Sequence, residues 1–343
     1  MNLLELEKKI VPEILEIMEK RYIILRTIYY NQPIGRRTLA NNLGLGERTI
    51  RTEVNFLKNQ GLLNVETMGM YVTKEGKDVL ANLGSVIHEF KGISQLEKTL
   101  EKMLNVEKVI ILPGNSAEDG LVLKDMGKIT SASLKKIIKD NCIIGITGGN
   151  TMASVAEEMI PSKIADNVLV IPARGGLGKD VETQANSIAA KLAQKLGGNY
   201  KLLHVPDSLE KEALEVIRKI EDVKESIDFI NKMNILVFGI GRADTMAERR
   251  NLPKEKIDAL TKDGAVAEAF GHYFDIKGRE IWEYLTVGLT IEKYKEIDYV
   301  IGVAGGEEKA EAIIAVSSLR KKMTIVTDEE AAKKIIEIVS KAT

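Results

Sequence analysis

Between Glu13 and Tyr30, apolar residues recur at Ile14, Ile17, Met18, Ile24, Leu25 and Ile28, the spacing of a helix with one buried face. Pro33 ends it. Arg36–Leu43 predicts a short second helix broken at Gly44-Leu45-Gly46, and Glu47–Asn59 a third that stops at Gly61. In the third helix Ile50, Val54 and Leu57 lie at i, i+4 and i+7 and are expected in a core. Arg48, Arg51, Thr52, Asn55 and Lys58 then fall on the opposite stripe. The runs Leu62–Val65 and Met70–Thr73, around Met68-Gly69, read as a hairpin. Glu75–Leu104 reads as helical, with candidate bends at Gly84 and Gly92. Its stripe Val79, Leu80, Leu83, Val86, Ile87 and Phe90 suits either packing on a neighbouring domain or a dimer seam, and the pattern does not choose.

From residue 105 the period changes. Strand-like runs at Val109–Leu112, Cys142–Ile146, Val168–Ile171, Lys201–Val205, Ile235–Ile240, Tyr299–Val303 and Thr324–Val326 alternate with helical stretches. Those stretches are Ser131–Lys139, Met152–Ile160, Glu182–Leu196, Leu209–Asn231, Pro253–Lys262, Lys309–Leu319 and Glu329–Ser340. Such alternation predicts a doubly wound parallel sheet whose ligands bind beyond the carboxyl ends of its strands. The expected organisation is an α/β chain: a winged helix-turn-helix over 1–74, a helical linker over 75–104 and an effector domain over 105–343.

Composition narrows the function classes. With 343 residues, 44% apolar and 29% charged, the chain has the balance of a soluble two-domain protein. No run approaches the roughly 20 apolar residues of a membrane span, and Met1 is followed by Glu5 and Glu7 rather than by a signal sequence. Cys142 is the sole cysteine, so a reducing cytoplasm is expected. His88, His204 and His272 lie too far apart to suggest a metal site. The net charge of −1 hides a local excess: eight basic residues against Glu47 and Glu53 between Lys20 and Lys58, a net of +6. That excess is the footprint of a nucleic-acid partner.

Two constellations carry chemistry. In the head, Arg48, Thr49, Arg51, Thr52 and Asn55 supply the side-chain types that read base edges, and Arg36, Arg37 and Lys58 suit phosphates. A solvated charged face is the duller reading, but Arg, Thr and Asn fill positions where a Glu/Lys mixture would be usual. In the body, Cys142-Ile-Ile-Gly-Ile-Thr-Gly-Gly-Asn-Thr-Met152 is strand, glycine loop and helix start. Gly148 and Gly149 let backbone N–H groups converge on an anion, and Thr151 can cap the helix or touch a ligand. Arg174, Arg249 or Arg250, and Lys309 follow other strands, with Glu268 in a small apolar turn and the amide of Gln184 nearby. Two phosphates on a small molecule would use that much positive charge. Gly239-x-Gly241 lacks the third glycine of a dinucleotide fingerprint, so no nucleotide cofactor is expected, and no metal. An isomerase or deaminase is the competing class. Outside Glu268 only Asp244 and His272 would serve it as acid or base, and neither has an evident partner.

The motifs Ile146-Thr-Gly-Gly-Asn-Thr-Met-Ala153, Pro172-Ala-Arg-Gly-Gly176 and Val181-Glu-Thr-Gln-Ala-Asn186 fall in this order along the body. Val237-Phe-Gly-Ile-Gly241, Ala247-Glu-Arg-Arg250 and Ala265-Val-Ala-Glu-Ala-Phe-Gly271 follow them. With the head, this arrangement resembles the SorC-type sugar-responsive repressors over nearly the whole chain. The resemblance implies a winged-helix head and an effector domain similar to the sugar-phosphate isomerase/deaminase fold. It also implies a cytoplasmic, non-enzymatic repressor of glycolytic genes with fructose-1,6-bisphosphate as inducer, dimeric and pairing into a tetramer on operator DNA. The effector residues it implies are Gly148, Gly149, Asn150, Thr151, Arg174, Gln184, one of Arg249 and Arg250, Glu268 and Lys309. One position departs: where members acting on glycolytic genes usually carry Gly-Gly-Thr-Thr, Asn150 replaces the first threonine. That bears on which sugar phosphate is preferred.

Overall fold

The computed structural model describes residues 10–11, 13–177, 180–206 and 211–342, which form two compact units divided between Gln95 and Leu96. The first unit opens with α1 (Glu13–Asn31), α2 (Arg36–Leu43) and α3 (Glu47–Asn59). The hairpin β1 (Leu63–Glu66) and β2 (Gly69–Val72) follows, then α4 (Lys74–Phe90). Gly44, at a φ of 62°, takes the left-handed conformation that lets α2 stop and α3 start at once. Ile24, Leu25 and Ile28 of α1 meet Leu39, Ile50, Val54, Leu57, Leu63 and Met70 in one core. The wing is seated closely: a Cβ at Gly69 would lie 2.9 Å from the backbone nitrogen of Ile34.

The long helix expected over 75–104 is two. Gly92, at φ 68°, separates α4 from α5 (Ile93–Leu104), whereas Gly84 leaves α4 unbroken and lies under the Tyr22 hydroxyl. The α4 stripe is shared out: Val79 and Leu80 pack on the first unit's core, Ile87 and Phe90 are buried, and Val86 is exposed.

The second unit is a seven-stranded parallel sheet in the order β3-β13-β12-β7-β4-β5-β6. Its strands are β3 (Lys108–Leu112), β4 (Ile143–Ile146), β5 (Leu169–Pro172), β6 (Asn199–Tyr200), β7 (Ile235–Gly239), β12 (Tyr299–Val303) and β13 (Thr324–Asp328). Ile235 and Val237 of β7 join the core under α6 (Gly120–Lys135), α7 (Asn150–Glu158) and α8 (Ala185–Leu196). Leu236 and Phe238, which alternate with them, are equally buried, so both faces of the sheet are covered. The remaining helices are α9 (Lys211–Ile217), α10 (Glu221–Asn231), α11 (Ala243–Arg249), α12 (Lys254–Lys262), α13 (Ile291–Glu296), α14 (Ala310–Ser317) and α15 (Glu329–Ala342). From the centre of the sheet, β4 leads outward to β5 and β6, and the chain then returns to lay β7 on β4's other side. That reversal opens a crevice between the ends of β4 and β7.

Four expectations are corrected. The helix expected at Ser131 begins at Gly120, capped by the Asp119 carboxylate, which accepts the N–H of Leu121 at 2.8 Å. Gly127 within it resembles a breaker but is a close-approach point, where a Cβ would lie 2.7 Å from the carbonyl oxygen of Ser154 on α7. The strand expected over Lys201–Val205 does not form: β6 covers Asn199–Tyr200 only, and beyond it the side chain of Asn186 bonds both the N–H and the C=O of Leu203. The single helix expected over Leu209–Asn231 is broken between Ile217 and Glu221, and Leu209 itself lies outside the described residues. A second, antiparallel sheet was not expected: β11 (Glu280–Glu283), β10 (His272–Asp275), β9 (Ala265–Ala269) and β8 (Gly241–Arg242). Glu268 therefore stands on strand β9, not in a turn.

Candidate functional site

In the head, the outer face of α3 is as the spacing predicts. Arg48, Thr49, Arg51, Thr52, Asn55 and Lys58 are all exposed, while Ile50, Val54 and Leu57 are buried, and Arg36 and Arg37 of α2 are exposed as well. The basic excess is smaller than its count. Glu53, a buried residue of α3, holds Lys20 at 2.7 Å and Arg21 at 2.9 Å, and Arg26 is buried. Burial pushes the Glu53 carboxyl up, but Lys20 and Arg21 outweigh it and hold it below the usual carboxylate range. Five exposed cations remain, Arg36, Arg37, Arg48, Arg51 and Lys58, of which Arg37 lies 3.9 Å from the exposed Glu47 carboxylate.

In the body, a cavity of about 450 Å³ opens at the reversal point. Its lining comes from the segments after β4 (Thr147 to Thr151), β5 (Arg174), β7 (Gly239 to Arg242, Thr245, Met246 and Arg249) and β12 (Lys309), and from β9 itself (Glu268). Thr147 stitches the two central segments together, its hydroxyl accepting the N–H of Gly239 at 3.1 Å. Gly149, at φ 105°, is the residue from which α7 springs, so Asn150 and Thr151 are its first two helical residues and Thr151 does not cap it. The glycines serve close approach: a Cβ on Gly148 would lie 2.8 Å from the Thr183 carbonyl oxygen, which already accepts the N–H of Gly149 at 2.8 Å. The first-turn N–H groups of α7 have no intrahelical acceptor and offer the anion-binding end of the helix.

The cations divide into two groups. Arg174 (3.0 Å) and Arg250 (2.9 Å) both donate to one oxygen of Glu268, which also accepts the Gly271 N–H at 2.7 Å. Burial drives the Glu268 carboxyl up, yet Arg174 and Arg250 prevail and keep it ionised below the ordinary range. Arg250 is wholly buried, bonds the Tyr273 hydroxyl at 3.0 Å and does not line the cavity. Arg249, exposed beside it, does. The second group is Arg242, Arg249 and Lys309. Burial pulls the Lys309 ammonium below the usual lysine value, with Glu308 opposing and Arg249 reinforcing. The turn before Lys309 is pinned by buried Asp328, which accepts the Gly306 N–H at 2.7 Å and the Ser116 N–H at 2.8 Å.

Of the residues singled out in the sequence, Gly148, Gly149, Asn150, Thr151, Arg174, Arg249, Glu268 and Lys309 line the cavity. Arg250 and Gln184 do not. The Gln184 side chain lies against Gly176, where a Cβ would come within 2.8 Å of its Oε1. Reading the sequence passed over Arg242, Thr245, Asp180 and Thr183, which also line it. Arg242 had a signal, since it follows the Gly239-x-Gly241 turn directly. Thr183 had none, because only the fold brings its carbonyl to the glycine loop. Among the described residues no group of His, Cys, Asp and Glu is placed to hold a metal ion, and no helix is long and apolar enough to cross a membrane.

Comparison with known proteins separates the same two parts. Residues 17–87 match the CggR N-terminal DNA-binding domain, and residues 88–337 match the sugar-binding domain of the Sugar-bind family. The central glycolytic genes regulator of Bacillus subtilis (strain 168) is 42% identical over 335 residues, covering 98% of each chain. A SorC family transcriptional regulator from Enterococcus faecalis superposes with a TM-score of 0.66 at 36% identity, over 71% of this chain and 99% of that one. The full-length sorbitol operon regulator SorC from Klebsiella pneumoniae shares the fold over 94% of this chain and 98% of its own, with a TM-score of 0.65 at 18% identity. The chain is a DNA-binding transcriptional regulator rather than an enzyme, and it belongs to the SorC-type sugar-responsive regulators, in the family of the central glycolytic genes regulators.

Proposed function

We propose that this protein represses glycolytic genes in the cytoplasm, holding operator DNA with α3 and releasing it when fructose-1,6-bisphosphate enters the cavity. One observation carries the reading: the cavity at the sheet's reversal point sets a helix start opposite Arg242, Arg249 and Lys309. A helix start and a cationic wall suit two separate anionic groups better than one. In this reading one phosphate takes the first-turn N–H groups of α7 with the Asn150 amide and the Thr151 hydroxyl. The second takes the cationic wall, and Arg174 and Glu268 face the hydroxyls between them. Gln184 supports this lining through Gly176 rather than from within it. Two half-sites on DNA call for paired heads, so the active species is a dimer that doubles to a tetramer on its operator. The name and the near-complete coverage of the Bacillus subtilis relative support the target genes.

Thermal denaturation of the intact protein with a panel of glycolytic phosphates tests it, since a ligand bound only by the folded state raises the melting temperature. Fructose-1,6-bisphosphate is expected to give the largest rise. A panel in which no sugar phosphate moves the transition would end the sensor reading and leave the DNA-binding reading intact.

A further inference from the structure

Arg242 stands on the two-residue strand β8 and lines the cavity, whereas Asp244, two residues on, does not. The pair is bidentate: Nε of Arg242 donates to one Asp244 oxygen at 3.0 Å and Nη2 to the other at 2.5 Å. Only one edge of the planar guanidinium is used. Among the described residues its Nη1 has no hydrogen-bond partner, so a second fork remains for an anion. Asp244 does not depend on Arg242. It lies in the first turn of α11 and also accepts the N–H of Thr245 at 2.7 Å and its hydroxyl at 3.3 Å. Arg242 and Asp244 are 37% and 41% exposed, so a ligand can reach the guanidinium without unfolding anything. Arg249 and Lys309 line the same cavity, and Glu308 and Glu311 are the other charges that act on Arg242.

We propose that Arg242 selects a doubly charged ligand by binding its second phosphate, and that Asp244 is a built-in competing anion setting how much charge the ligand must bring. This rests on the reading of the cavity as a sugar-phosphate site. A phosphate arriving at Arg242 adds charge beside the Asp244 carboxylate. A strong anion that uses the free fork overcomes that repulsion, and a ligand with only a hydroxyl there gains nothing from Arg242. Neutralising Asp244 removes the repulsion and keeps the fork.

Calorimetric titration of the intact protein with fructose-1,6-bisphosphate and with fructose-6-phosphate separates the possibilities. Arg242→Gln is expected to weaken the bisphosphate about tenfold and the monophosphate less than about twofold, the scale of one charge-assisted contact. Asp244→Asn is expected to tighten the bisphosphate by about threefold, and the double variant to lose that gain. Equal losses for both ligands in Arg242→Gln, no loss at all, or a weaker bisphosphate in Asp244→Asn would overturn the assignment. A parent protein that binds neither sugar phosphate would refute the cavity reading itself, and this inference with it.

Discussion

Helix α3 and the cavity are built in opposite ways. On α3 every polar residue of the outer face belongs to one element, stands exposed and meets its partner from solvent. The cavity draws on segments after β4, β5, β7, β9 and β12, and the fold has already engaged much of what they bring. Glu268 holds Arg174, Asp244 holds Arg242, and the Thr183 carbonyl holds the N–H of Gly149. A DNA surface can be a row of free cations because phosphates arrive in large numbers and most of the affinity is electrostatic. A small-molecule site needs its donors fixed before the ligand comes, so its charges are clamped by internal partners.

The sharpest way to break this contrast is to remove a clamp. Glu268→Gln leaves the guanidiniums of Arg174 and Arg250 without their anion in a site where Arg250 and Glu268 are almost fully buried. Breaking a buried pair from one side costs about 3–5 kcal/mol, and urea unfolding of the intact protein should show a loss of that size. The pH limb gives a second check. The Glu268 carboxyl is depressed in the folded state, so its stabilisation is present above the unfolded value of about 4.3. It is lost as pH falls through the lower folded value, and the Gln variant should lack that part of the acid limb.

The glycine loop should tolerate less than its sequence suggests. In Gly148→Ala the new methyl meets the Thr183 carbonyl oxygen at 2.8 Å and the Ala185 nitrogen at 3.3 Å. Overpacking of that kind costs about 1–3 kcal/mol and should lower the melting temperature and remove the response to sugar phosphate. A variant with parental stability and response would show that the loop is not seated on Thr183.

The head should behave independently of such packing. Arg51→Ala is expected to cost about 1–3 kcal/mol of operator affinity and to relax choice at one base position, since Arg51 is exposed and bound to no core partner. Lys58→Ala should have the smallest effect, weakening all sequences alike and lowering the salt slope by about 1. Gel-shift series over several salt concentrations and operator variants distinguish the two. Equal, sequence-independent losses would mean that α3 lies along the backbone rather than in the groove.

The same contrast explains what could be read in advance. The face of α3 was legible because its information is local: Ile50, Val54 and Leu57 fix which way Arg48, Arg51 and Asn55 point. The parallel sheet was legible because strands buried on both faces leave continuous apolar runs. Strand β9 was not, since Ala265-Val-Ala-Glu-Ala269 carries a single β-branched residue and its pairing with β10 is settled by the fold. The choice between Arg249 and Arg250 was also closed to the sequence. Adjacent residues at the end of α11 point different ways, and only Tyr273 and Glu268, from two other strands, show which one is buried. Arg242 stood in plain sight after Gly239-x-Gly241, but only the fold brings it to the same cavity as Lys309, which follows another strand.

The account turns on whether a ligand in the cavity reaches the DNA-binding head, and one measurement asks that directly: operator affinity of the intact protein with and without fructose-1,6-bisphosphate, in the parent and in Lys309→Met. A ligand that binds one conformation better can shift the population that holds DNA by its differential affinity. The account predicts that the bisphosphate lowers the parent's operator affinity, and that Lys309→Met binds DNA as the parent does without ligand but responds far less to it. Operator binding by the parent that ignores the bisphosphate at every concentration, or a Lys309→Met protein that responds as the parent does, would contradict it.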